Sequence, residues 1–279
     1  HTHDTVLCFS SRGKVYWLKV YELPQAGRSS LGKPMVNLLP LEPGEKINAL
    51  LPVKQYDELH YVFMATGQGT VKKTPLAAFS RPRPSGIIAL DLHADDRLVG
   101  VAITDGEREI MLVSSGGKAI RFAEGEVRPM GREAAGVRGI KLGDGQEVIA
   151  LIVVGAGEGG GSVLTASASG YGKRTPVADF PVHGRGGQGV IAMQTSDRNG
   201  TTVAALQVLP GQEIMLISST GTLVRTGVDE VSELGRNTQG VRLIRLSEGE
   251  RLVGIERIES LDGAAAEESG PGESDQPPA

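Results

Sequence analysis

A glycine returns five times along this chain at a period near fifty residues. It stands at Gly13, Gly69, Gly117, Gly170 and Gly221, with spacings of 56, 48, 53 and 51. A second glycine follows 19 residues later at Gly32, Gly136, Gly189 and Gly240, and 17 residues later at Gly86. Self-similarity at this period marks an array of supersecondary units that bury their apolar faces against one another. The unit is plainest in the fifth repeat. Residues 213–218 and 223–226 are β-rich runs flanking the turn Ser219-Thr220-Gly221-Thr222. A third run covers 241–246, and a fourth covers 251–255 after Ser247-Glu248-Gly249-Glu250. The other repeats keep this order, with turn sequences such as Glu42-Pro43-Gly44 and Gly143-Asp144-Gly145 before the fourth run. Four short strands per repeat predict an all-β, propeller-like disc of four-stranded blades. No segment holds a 3.6-residue apolar stripe for three turns, which argues against a helical array.

The totals agree with such a disc. The chain has 279 residues, the size of one propeller domain, and its 39 glycines suit a fold of many tight turns. Its single cysteine, Cys8, lies in the apolar run Val6-Leu7-Cys8-Phe9 and reads as a buried thiol, which fits a reducing cytoplasm. No apolar run reaches the length of a membrane span. The chain starts at His1-Thr2-His3-Asp4, with neither an initiator methionine nor a signal pattern, and reads as a fragment of something longer. The sequence divides into a body, 1–258, and an acidic tail, 259–279, whose Ala, Glu, Ser, Gly and Pro composition predicts disorder. Residues 155–161 read as a flexible connector. The formal charge is −4, but the tail holds six of the 33 acidic residues and no basic one, leaving 29 basic against 27 acidic residues in the body. A basic surface must therefore come from placement rather than excess. The tail could compete with a polyanion for that surface.

Two slots carry cations at fixed distances from the anchor glycine. Four residues on stand Lys73, Arg121, Arg174 and Arg225; in the first repeat Trp17 fills the slot, and Lys19 lies two residues later on the same strand face. Fifteen residues on stand Arg28, Arg132, Arg185 and Arg236, with Arg83 one residue earlier in the shorter second repeat. Lys72, Arg138, Lys173 and Arg242 cluster nearby. Solvated strand-edge charge explains any single one of these residues. Their recurrence points to a rim of cations that tracks a duplex backbone, positioning the DNA without reading its bases. A curved rim would bend the duplex, at a cost on the order of 1–6 kcal/mol for 20–30 base pairs. Aromatic residues make up 4% of the chain, which disfavours single-strand stacking.

Catalytic patterns fail on inspection. Gly155-Ala156-Gly157-Glu158-Gly159-Gly160 matches a dinucleotide fingerprint, but a strand-like run follows it where a helix is required. No nucleophile motif, phosphate loop or metal spacing is present. A protein-binding propeller remains a rival reading, although the Trp-Asp repeat signature is missing. Absence of DNA binding at any salt concentration would select it.

Three segments carry a family resemblance: residues 5–16, Gly170-Tyr171-Gly172-Lys173-Arg174-Thr175, and Gly235-Arg236-Asn237-Thr238-Gln239-Gly240-Val241. They closely resemble the C-terminal domain of the DNA gyrase A subunit, and the similarity runs from about residue 4 to 258. The resemblance implies a β-pinwheel, a six-bladed disc whose neighbouring blades exchange strands, of which five repeats are visible. It implies a non-catalytic domain that wraps double-stranded DNA around its basic rim with a positive hand, so that the holoenzyme can introduce negative supercoils. Implied partners are the gyrase B subunit together with the remainder of the A subunit, in the bacterial cytoplasm at the nucleoid. ATP and Mg would serve other parts of that enzyme, and no cofactor is expected for this fragment. A related topoisomerase IV domain is the alternative. The family's Gln-Arg-Arg-Gly-Gly-Lys-Gly box is absent; Arg185-Gly186-Gly187-Gln188-Gly189 occupies a comparable slot without the lysine, so only phosphate contact is carried over to Arg185. None of Tyr16, Tyr21, Tyr56, Tyr61 and Tyr171 is expected to be the enzyme's nucleophilic tyrosine.

Overall fold

A computed structural model describes residues 1–25, 30–154 and 161–258. The first repeat forms β1 (Thr5–Ser10), β2 (Lys14–Lys19) and β3 (Ile47–Val53). The second forms β4 (Tyr61–Thr66), β5 (Thr70–Pro75), β6 (Ile87–Ile88) and β7 (Leu98–Thr104). The third forms β8 (Glu109–Ser114), β9 (Lys118–Ala123), β10 (Val137–Arg138) and β11 (Val148–Val154). The fourth forms β12 (Ser162–Ser167), β13 (Tyr171–Pro176), β14 (Val190–Ile191) and β15 (Thr202–Val208). The fifth forms β16 (Glu213–Ser218), β17 (Leu223–Gly227), β18 (Val241–Arg242) and β19 (Leu252–Ile258). The connector 155–160, Arg28 and the acidic tail from 259 lie outside the described residues. β12 directly after the glycine-rich segment confirms that no nucleotide-binding helix follows it.

Each repeat after the first lends a strand to its predecessor. The sheet orders are β3-β1-β2-β6, β7-β4-β5-β10, β11-β8-β9-β14, β15-β12-β13-β18 and β19-β16-β17. The short third strand of each later repeat thus closes the outer edge of the blade before it. The inner strands β3, β7, β11, β15 and β19 follow one another as neighbours around the middle. Four blades have four strands, and the fifth has three among the described residues.

The third run is shorter than its sequence suggested, two residues rather than six. The backbone explains this. After two ladder positions the next two N–H groups turn to one carbonyl, that of the anchor glycine in the preceding blade. Ala192 and Met193 both donate to Gly117 O, and Leu243 and Ile244 to Gly170 O. The two glycine series are therefore the two sides of one crossing. Gly117 has φ +76°, and a Cβ there would lie 2.1 Å from the Met193 carbonyl oxygen. Gly189, on the incoming side, has φ +69°, and its Cβ would lie 2.2 Å from the Ala119 carbonyl oxygen. Gly117→Ala should cost on the order of 3 kcal/mol, from left-handed backbone plus a clash with main chain that cannot move aside. Gly211 also has positive φ, +78°, but open space around it. Gly211→Ala should cost only about 1 kcal/mol. Urea unfolding of the two variants checks this; equal losses would contradict the crossing role.

The core lies between blades. On β4, Val62 and Met64 pack with Leu7, Phe9 and Val15 of the first blade, while Phe63 and Ala65 pack with Ile110 and Leu112 of the third. All of these side chains are fully buried. Period-two alternation thus puts an apolar residue on both faces of a middle strand, each worth about 1.5–3 kcal/mol for a large side chain. Cys8 is buried and forms no disulfide among the described residues, and burial pushes its thiol up to about 11.

Candidate nucleic-acid interface

The two cation slots have different fates. In the first four repeats the slot four residues after the anchor faces the next blade rather than solvent, because it lies on a strand whose neighbour carries a short 3-10 turn. Trp17 donates Nε1 to Phe79 O at 3.0 Å, at the end of the turn Leu76–Phe79. Lys73 lies beside Glu124, Nζ to Oε1 3.5 Å, in the turn Glu124–Glu126, and over the Tyr61 ring. Arg121 donates Nη1 to Val177 O at 2.9 Å and Phe180 O at 3.0 Å, and its Nε to Glu109 at 2.8 Å. Arg174 donates Nε to Val231 O at 2.7 Å and pairs with Asp229. Lys73 is 4% exposed, and the Arg121 and Arg174 side chains 15% and 14%. The expectation that these three touch phosphate is therefore corrected: they fasten consecutive blades. Arg225 is exposed and ion-paired to Glu213, and Lys19 is half-buried, donating to Thr5 Oγ1 at 2.7 Å.

The second slot reaches the outer edge. Arg132 donates Nη1 to Ile88 O at 3.4 Å, Arg185 to Arg138 O at 3.0 Å, and Arg236 to Ile191 O at 3.2 Å. In each case the acceptor is the last residue of the exchanged strand in the neighbouring blade. Arg185 adds a second bond, Nε to Glu126 O at 3.1 Å, and each of the three partly exposed guanidiniums keeps further donors beyond these bonds. Among the described residues none of the three forms a carboxylate ion pair, although Glu126 accepts the backbone N–H of Arg185. Arg83, Arg138 and Arg242 are exposed on the same outer strands and loops. Arg28 lies outside the described residues.

Lys72 and Lys173 are fully buried, so the expectation that they contact DNA directly is also corrected. Lys72 donates to Ala89 O at 2.8 Å and to Arg132 O; Lys173 donates to Gly235 O at 2.6 Å, Arg236 O at 2.5 Å and Thr238 Oγ1 at 3.0 Å. Each ammonium thus holds the main chain of a rim arginine. Burial, then the nearby arginine, pulls both lysines down to about 8. Spacing could not single them out, because the other repeats place Tyr16, Ile120 and Val224 at the same position. A surface groove beside Arg236 is also lined by Lys118, Gly189, Val190, Ile191 and Thr238. Lys118 lies outside both slots, and the pairing of β9 with β14 is what places it opposite Ile191.

Among the described residues no group of His, Cys, Asp and Glu side chains could hold a metal ion, and no helix is long and apolar enough to cross a membrane.

Exchanged strands around a propeller-like arc, with arginines tethered along its edge, define a β-pinwheel. The family model of the DNA gyrase C-terminal domain, beta-propeller, matches residues 4–54, 60–105, 108–155, 161–208 and 212–259. The chain belongs to that family. It is 52% identical over 276 residues to the DNA gyrase A subunit of Salmonella typhimurium, covering 96% of this chain and 31% of the relative. It is 50% identical over 316 residues to the DNA gyrase A subunit of Pseudomonas aeruginosa, covering 98% and 34%. The chain thus spans about a third of the length of these relatives. Among solved structures, the C-terminal domain of DNA topoisomerase IV matches with a TM-score of 0.87 at 25% identity, over 96% of this chain and 85% of that one. The DNA gyrase A C-terminal domain matches with a TM-score of 0.79 at 25% identity, over 93% and 84%.

Proposed function

We propose that this chain is a non-catalytic module of a bacterial DNA gyrase A subunit that binds duplex DNA along its rim and bends it. The observation that carries the reading is the repeated tether: Arg132, Arg185 and Arg236 each bond the exchanged strand of the neighbouring blade, and among the described residues none of them is neutralised by a carboxylate ion pair. Equivalent charges one blade apart match a polyanion of constant spacing better than any single ligand. The module acts in the cytoplasm, working with the B subunit while joined to the rest of the A subunit. ATP and Mg are used elsewhere in that enzyme.

A topoisomerase IV-type domain is the second reading, supported by the higher TM-score of that solved structure. Identity of about one half to gyrase A subunits supports the first. Sealing a nicked plasmid with ligase in the presence of the 279-residue chain separates them. A wrapping module leaves a shifted linking number after the protein is removed, in the positive sense that the family resemblance implies. Binding without a shift would favour the topoisomerase IV type, and no binding at low salt would overturn both.

A further inference from the structure

Pairing across the outer edge of each blade reveals cations that repeat spacing conceals. The residue after the anchor glycine faces the last residue of the exchanged strand. The pairs are Lys14 with Ile88, Thr70 with Arg138, Lys118 with Ile191, and Tyr171 with Arg242. Each pair holds one cation, supplied by either strand. In the first three blades a second cation stands beside the pair, because Arg132, Arg185 and Arg236 bond the carbonyls of those same residues, Ile88, Arg138 and Ile191. In the first blade Glu42 pairs with Lys14.

The fourth blade has no arginine tethered to the Arg242 carbonyl among the described residues. Arg198 stands there instead, reaching in from the turn between β14 and β15. Its guanidinium carbon lies 5.0 Å from the centre of the Tyr171 ring, and that of Arg242 lies 5.4 Å away. Arg242 also donates Nη2 to the Tyr171 hydroxyl oxygen at 2.9 Å. Neither arginine pairs with a carboxylate among the described residues. The Arg242 hydrogen bond first, and then the nearby Arg198 guanidinium, hold the Tyr171 phenol below its usual range. Two like charges that share a phenol favour further negative charge beside it.

We propose that Arg198, Tyr171 and Arg242 form a phosphodiester clamp on the edge of the fourth blade. The clamp gives duplex DNA one more backbone contact and continues the two-cation pattern of the earlier blades. It rests on the DNA-binding reading above. Both guanidiniums lie within 5.4 Å of one ring centre, so their charges converge on the same stretch of the edge.

The test is a salt titration of duplex binding by the full chain carrying Arg198→Ala and Arg242→Ala together. Loss of one phosphate contact lowers the slope of log K against log salt by about 0.9, equivalent to roughly eightfold weaker binding at 0.1 M salt. Arg198→Lys with Arg242→Lys keeps the charges and should recover most of the loss; a purely structural role would not be rescued this way. An unchanged slope in the alanine pair, while loss of Arg132, Arg185 and Arg236 still weakens binding, overturns the clamp alone. If neither set changes the slope, the DNA-binding reading falls with it. Inorganic phosphate is the small-anion probe. Competition by it at the total phosphate concentration of the duplex would assign the site to small anions and overturn the proposal.

Discussion

Arg132→Ala, Arg185→Ala and Arg236→Ala combined should weaken duplex binding roughly 500-fold at 0.1 M salt and lower the salt slope by about 2.7. These values follow from three phosphate contacts at about 0.9 each, with contacts one blade apart treated as additive. The fold should survive, because the side chains give only edge bonds to main-chain carbonyls, one each from Arg132 and Arg236 and two from Arg185. Fluorescence anisotropy with a duplex of roughly 30–40 base pairs across a salt series reads both quantities. Arg108→Ala with Arg251→Ala is the control: both are exposed or partly exposed cations off the rim slots, and Arg108 already pairs with Asp105. An equal loss in the control would show that net charge, not placement, governs binding. Arg121→Ala should do the reverse of the rim variant. It strips two main-chain acceptors, Val177 O and Phe180 O, and leaves Glu109 without its partner, so it lowers stability by about 2–4 kcal/mol and barely alters the salt slope.

Rising pH should stabilise the fold through its two buried lysines. Lys72 and Lys173 have folded values near 8, well below the ordinary lysine value of 10.5. Between those limits the unfolded chain binds more protons than the folded one, so the two lysines make unfolding harder as pH rises from 8 to 10.5. Their contribution is fully present above 10.5 and lost as pH falls through 8. The burial penalty below pH 8 is on the order of 3 kcal/mol for each lysine. The charged groups around them are few: Arg132 and Asp91 act on Lys72, and Arg236 on Lys173. Lys72→Met with Lys173→Met should therefore remove several kcal/mol of the rise in unfolding free energy between about pH 7 and 10. Urea unfolding across that range checks it; parallel curves for the two proteins would contradict it. The same variant frees the main chain at Arg132 and Arg236, so it should also bind DNA less tightly near neutral pH, although both arginines remain.

What the sequence revealed and what it hid follow from the distance over which each feature is decided. The glycine period, the turns and the first two strands of each repeat are local, and β16 matches its sequence run, Glu213–Ser218. The length of the third strand is not local: it ends where a glycine carbonyl of another repeat captures two N–H groups. The second arginine slot was legible because its position on the edge follows from the repeat itself. The first slot misled because an arginine on a strand has no sequence mark of the 3-10 turn waiting in the next blade. Lys72 and Lys173 misled for the opposite reason. Charge normally signals surface, whereas here main-chain carbonyls from another part of the chain satisfy a buried ammonium. Arg198 belongs to no slot and emerges only when the β13–β18 pairing is known.

The lending of strands has a mechanical consequence. Arg132 belongs to the third repeat, bonds a strand of the second, and that strand sits in the sheet of the first. Tension applied by a stiff polymer at one guanidinium is therefore shared by three repeats. To tear a blade loose, such a load would have to shear two sheets together rather than peel one hairpin.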